Sequence, residues 1–98
     1  MATTGLAVSL LMRGRQIEAL HFARQAVREM PQYPSAHKVL IQALVLNGLQ
    51  EDAHAAAARF LELSPGYTLT YQRKITPYSN QAYCNQLLDT LRRAGLPE

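Results

Sequence analysis

The stretch from Gly48 through Ala53, Ala57 and Phe60 to Pro65 repeats one that lies 34 residues earlier. At that offset Gly48 falls on Gly14, Ala53 on Ala19, Ala57 on Ala23, Phe60 on Ala26 and Pro65 on Pro31. Leu40 and Leu44 likewise fall on Leu6 and Leu10, Gln50 on Gln16 and Ala36 on Ala2. A fixed period of this length, with Gly in the middle and Pro at the end, reads as a repeated helix-turn-helix unit. Such a unit buries its apolar stripe against its neighbours. The chain is therefore expected to be all-α, and the pattern implies a binding module.

Leu6, Ala7, Leu10 and Gly14 recur at three- to four-residue spacing and predict a first helix from Thr3 to about Arg13. Gly14 permits the tight turn, because Gly takes positive φ values that other residues resist. A second helix follows from Arg15 or Gln16 to Glu29, with Ala19, Phe22, Ala23, Ala26, Val27 and Met30 on one face and His21, Arg24, Gln25 and Arg28 on the other. Pro31 and Pro34 stop it. Ser35 is the expected N-cap of a third helix, which runs to Asn47 and is almost wholly apolar from Val39 to Leu46. A helix apolar all round is enclosed on most sides, so this one should be the centre of the fold, between the first repeat and the C-terminal segment. The fourth helix, Gln50 to Leu63, repeats the stripe with Ala53, Ala56, Ala57, Phe60 and Leu61.

One further shift of the same length fails: Leu40 lands on Lys74, Leu44 on Tyr78, and Pro77 intervenes. No third repeat is read there. Residues 67–78 read as a loop with one helical turn around Leu69 to Arg73. A last helix, capped by Ser79 or Asn80, runs to Ala94 with Cys84, Leu87, Leu88 and Leu91 inward and Gly95 as a left-handed C-cap. It should cover the open end of the stack. The division is then two repeats over 1–66 (1–33 and 34–66), a loop over 67–78 and a capping helix with its tail over 79–98.

A chain of 98 residues holds one small domain. No run approaches the roughly 20 apolar residues of a membrane-spanning helix, and the first residues lack the basic leader of a signal peptide. Cys84 is the single cysteine, which excludes an intramolecular disulfide framework and favours a reducing, cytoplasmic setting. The net charge of +3 comes from basic residues scattered between Arg13 and Arg93. They read as solvated helix faces rather than a nucleic-acid footprint.

Catalytic and metal chemistry find no constellation. His37 takes a packing position, and His21 stands on an outer face. His54 shares a helix face with Glu51 alone, too few ligands for zinc. Cys84 lies in an inward stripe, where a thiol is core. Ser9, Ser35, Ser64 and Ser79 lack a glycine-flanked elbow, and the five glycines are dispersed as turn and cap residues. No enzymatic activity and no cofactor are expected. Four of the five tyrosines fall in the span Tyr67, Tyr71, Tyr78 and Tyr83, interleaved with Arg73 and Lys74. Tyr and Arg suit a protein interface, and tyrosine rings equally suit packing of a loop onto the repeats; both readings stand.

Thr3, Leu6, Ala7, Leu10, Ala19, Ala23 and Pro31, followed by His37, Leu40, Ile41, Leu44, Ala53, Ala57 and Pro65, resemble the tetratricopeptide repeat, twice over, from Met1 to about Gly66. Thr3 and His37 stand where that family often has a large aromatic, and Ala23 and Ala57 where it often has Phe; Phe22 and Phe60 lie close enough to fill part of the volume. The loop and terminal helix, ending Leu91, Arg92, Arg93, Ala94, Gly95, Leu96, Pro97, Glu98, are similar to the C-terminal tails of bacterial class III adenylate or guanylate cyclase-like proteins with such repeats. The resemblance implies a non-catalytic protein–protein interaction scaffold, the C-terminal segment of a larger bacterial protein. The alternative it implies is the regulatory C-terminal region of a cyclase-like enzyme, inactive alone.

Partners in this family lie in a concave groove lined by the first helix of each repeat. Here that implies Thr4, Val8, Leu11 and Met12, then Ser35, Lys38, Gln42 and Val45, joined by Tyr67, Tyr71, Arg73, Lys74 and Tyr78 from the tyrosine segment. Thr4 and Val8 do not match the Lys and Asn of members that clamp a peptide carboxylate. A docked helix or extended protein or peptide segment is expected instead. An uncovered apolar edge at Leu6, Leu10 and Leu11 further predicts a homodimer through the N-terminal repeat, with no role for nucleic acid or membrane.

Overall fold

The computed structural model describes residues 2–75 and 81–98. They form six helices, α1 (Ala2–Met12), α2 (Gln16–Glu29), α3 (Pro34–Leu46), α4 (Gln50–Leu63), α5 (Leu69–Ile75) and α6 (Gln81–Arg93), with no strand among the described residues. The chain is all-α. The helix pairs α1–α2 and α3–α4 are copies down to single hydrogen bonds. Arg15 N donates to Leu10 O at 2.9 Å, and Leu49 N donates to Leu44 O at 2.9 Å. Gly14 and Gly48, one residue before each donor, hold φ of 77° and 76°. This is the wrapped helix terminus in which a left-handed residue returns the chain to its own last turn.

A Cβ on Gly48 would meet nothing within 4 Å, so substitution there costs backbone strain alone. Gly48→Val should lose about 1–2 kcal/mol, the penalty of forcing a branched residue into the left-handed region, and about 4–8 °C of thermal midpoint per kcal/mol. Gly48→Asn should lose distinctly less. A silent valine in a melting experiment would contradict the turn assignment.

The buried residues of α2 and α4 are mostly alanine: Ala19, Ala23, Ala26, Ala53 and Ala57. Small side chains let each second helix approach its neighbours closely, while Phe60 supplies the bulk near the end of α4. α3 packs against α1, α2, α4 and α6, with Ile41 and Ala43 fully enclosed, the central position its apolar sequence requires. Its start departs from the expected cap. Ser35 lies inside the first turn, Pro34 is the first helical residue and Tyr33 takes the N-cap position without a side-chain bond. Proline's fixed φ suits the first helical position, and its missing N–H costs nothing there.

The stretch read as a loop with one helical turn around Leu69 to Arg73 contains a seven-residue helix, α5, which starts at Leu69 and runs on to Ile75. Its first amides are satisfied from far along the chain. Leu69 N donates to Pro97 O at 2.8 Å, Thr70 N to Glu98 O at 2.9 Å and Thr70 Oγ1 to Glu98 O at 2.6 Å. Capping groups supplied by the tail leave no local signature, so the segment shows the turn and not what holds its first amides. Ser79 and Asn80, the expected caps of the last helix, lie outside the described residues.

α6 ends in the same turn as α1 and α3. Ala94 N bonds Thr90 O, Gly95 N bonds Arg92 O and Leu96 N bonds Leu91 O at 3.0–3.2 Å, with Gly95 at φ 97°. Leu87, Leu91 and Gly95 thus stand where Leu40, Leu44 and Gly48 stand 47 residues earlier. A clamp between units recurs too. Gln16 Nε2 donates to Leu46 O at 3.4 Å, and Gln50 Nε2 donates to Arg93 O at 2.5 Å. Each joins the start of a second helix to the last turn of the following first helix. The C-terminal end of α6 therefore sits as a third first helix, and the surplus over the 34-residue period houses α5.

The opposite end of α6 reaches over α1. Ala82, Tyr83 and Gln86 face Leu11 and Met12 across a small cleft of about 120 Å³. α6 thus lies along the side of the first helices. A Cα radius of gyration of 12.0 Å and nearly equal extents of 29 × 28 × 25 Å reflect this folding back.

Candidate functional site

The first-helix face and the tyrosine segment, distinct in sequence, are joined through side chains of α3. Gln72, buried on α5, accepts on Oε1 from Lys38 Nζ at 3.0 Å and from the Tyr67 hydroxyl at 2.7 Å. Tyr67 is itself wedged edge-on against Phe60, with ring centroids 4.7 Å apart, and edge-on to Tyr71 at 6.2 Å. A turn further along α3, Gln42 Nε2 donates to the Tyr83 hydroxyl at 3.4 Å. The α5–α6 segment thus lies over the face of α3 that carries Lys38 and Gln42.

That placement divides the expected partner-binding residues. Leu11, Gln42, Val45 and Tyr67 are buried; Thr4, Val8, Ser35 and Lys38 are half-buried. Met12, Tyr71, Arg73 and Lys74 are exposed, and Tyr78 lies outside the described residues. The expected N-terminal edge is likewise smaller than its sequence suggested. Leu6 is 43% exposed, while Leu10 and Leu11 are buried, with Leu11 beside the first turns of α6. Of the tyrosines, Tyr67 packs the segment onto the repeats and Tyr71 is exposed.

The electrostatics follow from burial. Burial desolvates the Lys38 ammonium and holds it below its ordinary pKa, and the Gln72 carbonyl it bonds is neutral. Desolvation pushes the Tyr67 phenol well up, with Tyr71 adding to the effect. It also raises Tyr83, partly offset by the bond from Gln42. Gln42 Oε1 is buried without a hydrogen-bond partner among the described residues. An orphaned amide oxygen costs about 1–3 kcal/mol, so apolar contacts must hold α6 in place. Buried Leu87, Leu91, Ala94 and Leu96 supply them.

The titratable side chains do not converge. Among the described residues no three of His, Cys, Asp and Glu come together as a metal site. His37 is buried with Nε2 donating to Pro31 O at 2.8 Å, His54 lies 3.1 Å from the Gln50 amide, and His21 packs edge-on to Phe22. Cys84 is buried. No described helix is long and apolar enough to cross a membrane.

Gln72 is the residue that sequence reasoning missed. It lies between two residues that were singled out, Tyr71 and Arg73, and only its position one turn after Leu69 on a helix identifies it as inward-facing. The site and fold define an all-α chain built on a repeated helix pair, with its first-helix face partly covered by its own C-terminal helices. No protein-family model matches the chain, and no curated protein or solved structure matches it.

Proposed function

We propose that the chain is a non-catalytic protein–protein interaction module of the tetratricopeptide type, belonging to a larger bacterial protein. The observation that supports this most is the stacked, repeated helix pair together with the large apolar side chains it leaves at the surface. Met12 is 50% exposed, Ile17 80%, Tyr71 53% and Ile75 48%. Stacked helix pairs present extended surfaces for partner chains, and exposed aromatics flanked by basic residues are favoured contacts. Of the expected groove, the side of α1 that carries Met12 stays open, and Tyr71 with Lys74 forms a second accessible set. A helical or extended protein segment is the partner this suits.

Selection from a displayed library of helical and extended peptides tests the reading. Enriched peptides should bind the wild-type chain and lose about tenfold or more in affinity to Met12→Glu or Tyr71→Ala, as truncated interface anchors do. Enriched peptides indifferent to both substitutions would contradict the assignment of these surfaces.

A further inference from the structure

A cleft of about 420 Å³ opens between α2 and α4, on the side away from the tyrosine segment's contact with Lys38. Its apolar lining is Val27, Leu40, Leu44, Ala55 and Ala56, and its charges are Arg24 from α2 with Asp52 and Arg59 from α4. Asp52, Ala55, Ala56 and Arg59 follow the i, i+3, i+4, i+7 spacing and therefore share one helix face. Asp52, Ala55 and Arg59 are exposed.

The face is symmetric in a particular way. The acid and the base lie at equal distances from the midpoint between Ala55 and Ala56, about 10 Å apart along the helix. A two-fold interface requires a surface that complements itself. Two copies of α4 laid antiparallel about that midpoint place Asp52 against the second copy's Arg59 and Arg59 against the second copy's Asp52, with the small alanines in contact at the axis. The cleft walls then receive the second copy's helix, and Arg24 adds a basic group on the far rim for its acidic first turn, Glu51 and Asp52. The corresponding positions of α2 are Glu18, His21, Phe22 and Gln25, which have neither the small centre nor the balanced charges. The arrangement belongs to α4 alone.

We propose that this cleft is a self-association surface whose occupant is α4 of a second copy, docked antiparallel about a two-fold axis between Ala55 and Ala56. The proposal rests on the association reading above and differs from it in the surface and the partner. Arg59 already bonds Glu62 at 3.0 Å on the exposed rim, an interaction weak enough in water to yield to the second copy's carboxylate.

Light scattering over a concentration series, on the wild-type chain and charge variants, tests it. The wild-type mass should rise toward two chains. Asp52→Arg alone and Arg59→Asp alone each bring like charges together and should weaken dimerisation about tenfold or more. An equimolar mixture of the two should form a heterodimer, and the double variant Asp52→Arg/Arg59→Asp should recover the homodimer. Far-UV circular dichroism checks that the variants keep their helices. Ala55→Glu, at an exposed position on the axis, provides a block that leaves both charge pairs in place. A wild-type mass of one chain throughout overturns this docking and leaves binding of foreign partners standing. A dimer insensitive to Ala55→Glu and to both charge reversals places self-association on another surface, such as the edge at Leu6, and equally overturns it.

Discussion

Leu91→Ala should cost the folded chain about 2–5 kcal/mol, one of the two largest losses expected from a single substitution. Leu91 is fully enclosed in the common core, in the place that Leu10 and Leu44 hold in the first two units, and its carbonyl accepts the Leu96 amide in the terminal turn. The size of the effect reflects how α6 is held. Its polar contact with α3 is incomplete at Gln42 Oε1, so removing one apolar anchor leaves little to compensate. Urea unfolding checks the value, and the unfolding slope should stay unchanged if the loss is confined to the native state. A loss below about 1 kcal/mol would mean that α6 is not part of the core.

Phe60→Ala should cost about 3–5 kcal/mol. Phe60 is the largest fully buried side chain among the described residues, and its ring bears edge-on on Tyr67. Loss of that ring removes the support from Tyr67, whose hydroxyl bonds Gln72, which also holds Lys38. The damage therefore spreads from α4 through α5 to α3. Phe60→Leu, which keeps most of the volume, should lose less than half as much. Thermal and urea melts of the two variants separate the cavity from the loss of hydrophobicity as such.

The two helix pairs were legible in sequence because every signal there is local. The 34-residue period, the glycines at positive φ and the alanine stripes of α2 and α4 all lie within the segments they shape, and both second helices start and stop where that pattern places them. The start of α3 was misplaced by two residues, with Tyr33 rather than Ser35 at the N-cap, because Ser35 has the usual capping side chain while Pro34 has the stronger backbone constraint. What the local signals left out was the part that depends on distant chain. α5 takes its N-terminal acceptors from Pro97 and Glu98, which no window around Leu69 contains. The third first helix was hidden by a change of spacing rather than of pattern, for Leu87, Leu91 and Gly95 keep the Leu, Leu, Gly spacing at an offset that a fixed-period search passes over.

The same distinction explains the candidate site. Exposure of Met12 and Tyr71 follows from their positions on single helices. Val45 is buried as the apolar run of α3 predicts, whereas the cover over Leu11 and Gln42 comes from α6, whose position no local signal in α1 gives. The expected groove was read from one face of α1 and α3, and the chain's own C-terminal segment lies over part of it.

Hydrogen–deuterium exchange across α6 tests the central claim most directly, that the C-terminal segment is a third first helix docked in the common core and not a mobile appendage. The amides of Leu91, Ala94 and Leu96 should exchange as slowly as those of Ile41, Leu44 and Leu49, through opening that approaches global unfolding. Exchange of the whole of α6 at the rate of a fraying terminus, while α2 to α4 stay protected, would contradict it.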